Sequence, residues 1–574
     1  MITFIFIAII LSMMGVSSAV ELNRVDVGLI YGNNNQYPIG VTSQTGFIFG
    51  EGFQESFKPI LDLSTYNQLI FYKDGFYDKT GTILETNSIE VYSKNQVLGG
   101  YHVQIGPAFA DYDSILEHYS SVSALDAEAY LVYDDGWRVF SGSYVTETEA
   151  KIHLTEISPN YAPDQLQIAI PNFNRVIVST GEKVLFSYDG SEGDLNFKTT
   201  SFEVGGLKYR NSFRVNRKIG SDFTFVNRVT MNEYIYGVVP KEMGAGWPLE
   251  AVKAQAIASK NYVLTSSTKY LSWGFDVCNT TSSQVYGGLN AEVPEINQAI
   301  DEISGVYATH QGKVVPLYFH SHSGGVTDNS ENVWNAALPY IKSTIDPYSI
   351  GYPNTNWSVT LNKADIEQRL IVAGYNVGSL QKINILERVS SGRVYKLELI
   401  GNMGKATLEK DKIRSVLGST AIKSLLFSFD EKTATASIDQ FTNTGQSAVK
   451  EPASIQIATA IPVMLVSTSG IYAEKVDSNQ IKIIESGSER MAKIDYEALR
   501  NAKDIYSFGE ISSNPYLYNS TESFDMTTGS VVFYGHGFGH GLGMSQWVAK
   551  KMAESGKTYE DILKFYFKDI EITK

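Results

Sequence analysis

Three stretches hold residue types at spacings that could do chemistry. In the first, Tyr236-Gly237-Val238-Val239-Pro240-Lys241-Glu242-Met243-Gly244-Ala245-Gly246-Trp247-Pro248, a carboxyl sits between an apolar run, read as a strand end, and a glycine-rich turn. Partial desolvation beside Met243 and Trp247 would raise the pKa of Glu242 and keep a proton on it, as a general acid requires. The plainer alternative is a solvated glutamate ahead of a helix, favoured there by the helix dipole. The second stretch joins Cys278, in Val277–Gly288, to His320 and His322, in Tyr318–Gly325. If a strand over 314–320 extends far enough, the two imidazoles share a face and could hold a zinc ion with the Cys278 thiolate. The alternative is that hydroxyls and imidazoles satisfy one another beside a glycine turn, since neither an HExxH nor a paired-cysteine motif is present.

The third stretch, Val531–Trp547, has glycine at every second position from Gly535 to Gly543. In an extended chain this clears one face for close approach of a backbone or a sugar ring and puts His536, Phe538 and His540 on the other. The spacing does not fit GxGxxG, so a dinucleotide fold is not supported. Ser545 is placed to N-cap a helix that ends near Gly556.

The elements that must position these residues can be read from pattern. Residues 20–98 alternate or run apolar between Gly/Asn clusters, as strands do, and form a β-rich N-terminal domain. Over 99–160 the order becomes strand, helix near 112–121, two strands through 127–144, and a helix from about 147 with Thr146 and Glu149 as a capping box. Residues 165–235 read as successive strands. A helix should start near Pro248, because proline suits a first helical turn and an Ala-rich segment follows. Strands are expected near 306–319 and 393–400, and 431–529 reads as an insertion. The fold class is α+β and multidomain.

Composition sets the outer bounds. At 574 residues with 43% hydrophobic and 19% charged residues, the chain is long enough for several folded domains and is not disordered. Its net charge of −15 opposes a phosphate backbone, so no nucleic-acid partner is expected. Residues 1–19 are apolar and end in Ser17-Ser18-Ala19, which predicts export to the cell envelope or beyond, by a cleaved leader or one kept as an anchor. With Cys278 as the single cysteine, no intramolecular disulfide can form.

The segments GVVPKEMGAGWPLEAVKAQAIASKNYV, TTSSQVYGG, FHSHSGGVTDNSENVW, PYIKSTIDPYS and GHGFGHGLGMSQWVA occur in this order. In them the chain resembles the sporulation stage II protein D (SpoIID/LytB) family, over about 165–430 and again over 530–574. The catalytic domain would be mixed α/β, made of 161–430 and 530–574 around the insertion. The βαββα segment, with VQIGPAF and GWRVFSGSYVTETEA at its ends, resembles a SPOR domain, a module that binds peptide-stripped glycan. The resemblance implies a lytic transglycosylase of peptidoglycan with Glu242 as the catalytic acid/base. It also implies substrate contacts from Gln284, Tyr286, His536, His540, Ser545 and Gln546. No cofactor is required for that chemistry. Some members hold zinc in a C-D-T-T-H-C-type segment; here Ser282 and Ser283 replace its His and second Cys, leaving Cys278, His320 and His322 as the candidate ligands. Two rival functions remain open: a non-catalytic amidase enhancer that binds glycan strands and recruits a cell-wall amidase, and a zinc-dependent wall amidase that would leave Glu242 without a role.

Overall fold

A computed structural model describes residues 24–32, 38–74, 77–78, 97–434 and 521–574, with breaks at 135, 173, 182, 192, 218–222, 267, 335, 350–354 and 432, and four strands between 465 and 493. The expected leader, 1–19, and most of the expected insertion lie outside the described residues. Among the described residues no helix is long and apolar enough to cross a membrane. The chain forms two units. Unit 1 runs to Leu317 and takes back Lys557–Glu560 and Asp569–Lys574, and unit 2 holds Tyr318–Gly556 and Asp561–Lys568.

Unit 1 is organised by one 15-stranded sheet. Its aromatic content goes largely inward: Phe197 stacks on Phe213 at 5.1 Å, Phe213 on Phe225 at 5.0 Å, and Phe49 and Phe71 close on the same cluster. Each fully buried phenylalanine is worth about 1.5–3 kcal/mol of transfer free energy, so this row anchors the sheet. The βαββα order is present as Tyr101–Ile105, α1 (Tyr112–Ser123), Ala129–Tyr133, Trp137–Tyr144 and α2 (Glu147–Ile157), and Thr146 and Glu149 form the capping box. The sheet continues through both ends of this segment. Ala129–Tyr133 pairs in parallel with Val184–Asp189, and Val25–Ile30 pairs with Thr224–Val229 some 200 residues later (Asp26 opposite Arg228).

The strand expected to carry Glu242 is instead a helix, α3 (Met231–Glu242). Tyr, Ile and Val make the segment look like a strand, but Thr230 and Glu233 cap it reciprocally, Thr230 Oγ1 accepting from Glu233 N and Glu233 accepting from Thr230 N. Pro240 falls in the last turn, where its missing N–H removes a single helical bond. Helix α4 (Leu249–Ser266) begins just after Pro248, and its alanines let α3 pack closely against it. The Asn261 amide pins α4 to the next strand by bonding Ala308 N, Ala308 O and Val315 O.

Unit 2 has two main antiparallel sheets. One orders Asn356–Asn362, Ser530–His536 and Leu426–Ser428, and the other orders Gly404–Glu409, Val394–Gly401, Leu380–Arg388 and Glu522–Asp525. A shared apolar core from Trp357 to Phe533 lies between them. Phe319–His320 pairs in parallel with Met544–Ser545, directly before α5 (Gln546–Glu554).

The Thr230 cap should be measurable, because it starts the helix that ends in Glu242. Thr230→Ala is expected to lower unfolding free energy by about 1 kcal/mol, read as a lower urea midpoint with an unchanged slope.

Candidate active site

The sequence-derived residues divide between the units. In unit 1, α3 delivers Glu242 as its last residue, half-buried, while Met243 is fully buried and fixes the exit of the helix. Two turns earlier on α3, the buried Tyr234 hydroxyl donates to Gln284 Oε1 at 3.3 Å. The Tyr286 hydroxyl donates to Asn227 Oδ1 at 2.9 Å, and Gly287 N donates to Gly237 O. A Cβ on Gly237 would lie 2.4 Å from the Tyr286 ring, so only glycine allows this close docking of α3. Burial drives the Tyr234 pKa well above its usual value, and charge on Tyr262, Tyr286, Cys278 and Glu242 adds to the rise. These side chains therefore share one neighbourhood. Gln284 and Tyr286, expected to meet substrate, are 3% and 4% exposed and act as the packing that holds α3.

Cys278 extends the same neighbourhood. Its strand pairs with Val25–Ile30, and its sulfur lies 3.2–3.4 Å from the hydroxyls of Thr280, Tyr270 and Ser283. Burial raises the thiol pKa, but hydrogen bonds from Ser283, Thr280 and Tyr270 outweigh it and bring it down to about 6. The sulfur is thus ringed by hydroxyls. Cys278 belongs to unit 1 and the candidate histidines to unit 2, and among the described residues no group of three or more His, Cys, Asp or Glu is placed to hold a metal ion. The residues present do not fit the zinc site expected from Cys278, His320 and His322.

In unit 2, the glycine stretch is extended only as far as His536. Beyond it, Gly537, Gly539, Gly541 and Gly543 take φ of +73, +112, +81 and +70, so the chain loops instead of presenting two alternating faces. At Gly541 a Cβ would sit 2.5 Å from the buried Arg393 guanidinium. His536 and His540 therefore do not share a face. His536 is buried, with Nδ1 3.0 Å from Asn356 Oδ1 and Nε2 2.6 Å from Ala434 O, and serves the structure. His540 instead lies beside His320, ring centroids 5.6 Å apart, and 5.5 Å from the ring of Trp334, which is partly exposed. Tyr318 closes on Trp334 at 4.2 Å. This aromatic edge could stack a sugar ring.

The remaining expected groups lie in the same region. His320 Nδ1 bonds Leu542 O, and its buried Nε2 meets no partner among the described residues. His322 Nδ1 accepts from Gly324 N. Ser545 stands at the N-cap position of α5, but its hydroxyl accepts from Ser323 N and not from the helix. Gln546 is buried at the first turn of α5. Sequence reasoning missed the polar core underneath: Asp346, bonded by the Ser323 and Tyr566 hydroxyls, and Asp328, bonded by Ser391 and close to Arg393. Asp346 belongs to the STIDPYS run, where a lone aspartate among hydroxyls was the available signal.

Comparison with known proteins gives the following matches. Residues 220–310 match the family model described as Stage II sporulation protein (SpoIID), and 352–447 match a domain of unknown function (DUF8618). Glu242, Cys278, Gln284 and Tyr286 fall inside the first match. An uncharacterized protein of Brachyspira hyodysenteriae is 25% identical over 374 residues, 65% of this chain and 74% of its own. The amidase enhancer of Bacillus subtilis is 26% identical over 341 residues, 59% of this chain but 40% of its own. Stage II sporulation protein D of Bacillus subtilis is 25% identical over 364 residues, 61% of this chain and 76% of its own.

The buried ionisable groups of unit 2 predict its response to acid. Burial holds His322 and His540 down to about 4 and His320 well below its usual value, while burial pushes Asp346 up to about 7. Between about pH 4 and 6.5 the unfolded chain binds protons on three imidazoles that the folded unit refuses, and the folded unit keeps one on Asp346 that the unfolded chain releases. Three outweigh one. Stability should fall as pH drops through this window, at roughly 1.4 kcal/mol per pH unit for each net proton. Asp346→Asn removes the opposing group and should steepen the loss, read from melting temperature against pH.

Proposed function

We propose that this chain, which belongs to the SpoIID family, is a peptidoglycan lytic transglycosylase of the cell envelope, with Glu242 as its acid/base. The observation that carries the reading is the place of Glu242: the end of a capped helix, half-buried, within electrostatic reach of the buried Tyr234. As an acid Glu242 protonates the glycosidic oxygen between N-acetylmuramic acid and N-acetylglucosamine. As a base it then takes the proton of the muramic C6 hydroxyl, which closes a 1,6-anhydro ring. One carboxyl suffices, because an intramolecular hydroxyl replaces the water that a second carboxylate would activate. The likeness to the amidase enhancer supports a second reading, in which the chain binds glycan and stimulates a separate cell-wall amidase without turnover. The βαββα segment supports either reading as a second glycan contact, whose linkage would add affinity.

The two readings separate on product. Incubation with peptide-free glycan strands is expected to release fragments ending in 1,6-anhydro-muramic acid, one water lighter than hydrolysis products by mass spectrometry. Glu242→Gln should lower the rate about 10²–10⁴-fold while strand binding persists. Well-folded wild-type protein that binds strands and yields no fragments would decide for the enhancer, and a fully active Glu242→Gln would remove Glu242 from the mechanism.

A further inference from the structure

In unit 2, the strand Gly404–Glu409 lies at the end of its four-stranded sheet. Its register with Val394–Gly401 runs without a shift from Gly401 opposite Gly404 to Lys396 opposite Glu409, and Lys410 N then bonds Tyr395 O. Antiparallel ladders alternate, so Ala406 and Leu408 also turn their main-chain groups toward Val394–Gly401. Those of Lys405, Thr407 and Glu409 turn away from it. Among the described residues no strand and no main-chain group meets that outer row.

The side chains do not blunt this edge. Edge strands are commonly kept from pairing by proline, by a bulge or by a charge that points inward. The strand Lys58–Leu63 of unit 1 follows this rule, with Pro59 and a register shift at Phe49/Gly50. Gly404–Glu409 has neither proline nor bulge, and its inward residues are the buried Ala406 and Leu408. Its charges, Lys405 and Glu409, lie on the exposed face with Thr407 midway between them.

Their order is self-complementary. Two copies of the strand laid antiparallel about Thr407 set Lys405 opposite the partner's Glu409, twice by symmetry, and Thr407 opposite its own counterpart. The same register pairs the outward N–H and carbonyl groups of Lys405, Thr407 and Glu409 with one another. A slip of two residues either way sets one of the charges opposite Thr407 and loses the matched pairs. In the matched register Glu409 stands between Lys396 of its own chain, at 3.1 Å, and the partner's Lys405.

We infer that Gly404–Glu409 is a docking edge for a second copy of this chain, and that two copies join through it, about a two-fold axis at Thr407, into one continuous sheet. A short strand pair covers less than the roughly 800 Å² per partner of a standard interface, so monomer and dimer exchange with concentration.

Sedimentation velocity of the full chain at rising concentration reads the association. The wild type is expected to shift from monomer toward dimer. Lys405→Glu and Glu409→Lys each set like charges opposite one another in both pairs, and each should weaken the dimer about fivefold or more. The exposed ion pairs these variants break, with Glu398 and Lys396, contribute little to folding, which circular dichroism checks. Combining the two exchanges restores opposite charges in the same register and should return the dimer to within about threefold of wild type. Thr407→Pro removes an outward N–H without removing a bond to Val394–Gly401, and should abolish pairing. A wild type that stays monomeric at every concentration overturns the inference. So does a dimer that the folded single exchanges leave unchanged, or that the double exchange fails to restore. Should Thr407→Pro fail to fold, the charge exchanges decide alone. Glycan cleavage does not enter this test, so its outcome is independent of the proposed catalysis.

Discussion

The buried carboxylate of Asp26 is the point on which unit 1 depends. It is 3% exposed, yet Arg228 reaches it through Nε and Nη2 at 3.0 and 3.2 Å and Arg214 through Nη2 at 3.0 Å. Burial opposes its charge, but the guanidinium groups of Arg214, Arg228 and Arg24 hold its pKa below the ordinary value. The Asp26 main chain bonds the Asp276 carboxylate and backbone in both directions. One residue near the start of the chain thereby fixes the strand that leads into α3 and the segment that leads into Cys278. Removing one member of such a buried group leaves an uncompensated charge, at a cost of about 3–5 kcal/mol. The position of Glu242 is thus set by an ion cluster well outside its own helix.

The two units differ in how they handle part of their buried polarity. Unit 1 keeps charge inside and surrounds it, with arginines around Asp26 and Asp74 paired to Arg175 and His102. Unit 2 adds buried groups that burial biases toward neutrality: three imidazoles are held down and Asp346 is held toward its acid form, next to the buried Arg393 and Asp328. The first arrangement fixes strand register through strong directional bonds. The second places the imidazoles of His320 and His540 beside the Trp334 ring.

What the sequence made legible was mostly local. The Thr146–Glu149 capping box, the helix after Pro248 and the βαββα order follow from caps, proline and short-range period, and these appear in the structure. Glu242 was legible as a residue but not in its setting. The β-branched and aromatic run before it reads as a strand, and only the Thr-x-x-Glu at 230–233, the same signal that identified α2, marks the helix. The glycine stretch misled for a different reason. Alternation predicts two faces only in extended backbone, and four left-handed glycines abolish that geometry. The roles of His536, Gln284 and Tyr286 depended on partners far away in sequence, Asn356, Tyr234 and Asn227, which no local pattern could supply.

The chain is nested as well as folded. Unit 2 is inserted within unit 1, and Ile570–Thr573, the last strand of the chain, pairs with Tyr307–His310 of unit 1. A polypeptide that emerges from ribosome or translocon in order therefore completes the inserted unit, whose last residue is Lys568, before the enclosing one. Until Ile570–Thr573 arrives, Tyr307–His310 keeps one edge open to other strands. Ile570–Thr573 thus acts as a clasp, and a nascent molecule cannot finish unit 1 before that strand has been made.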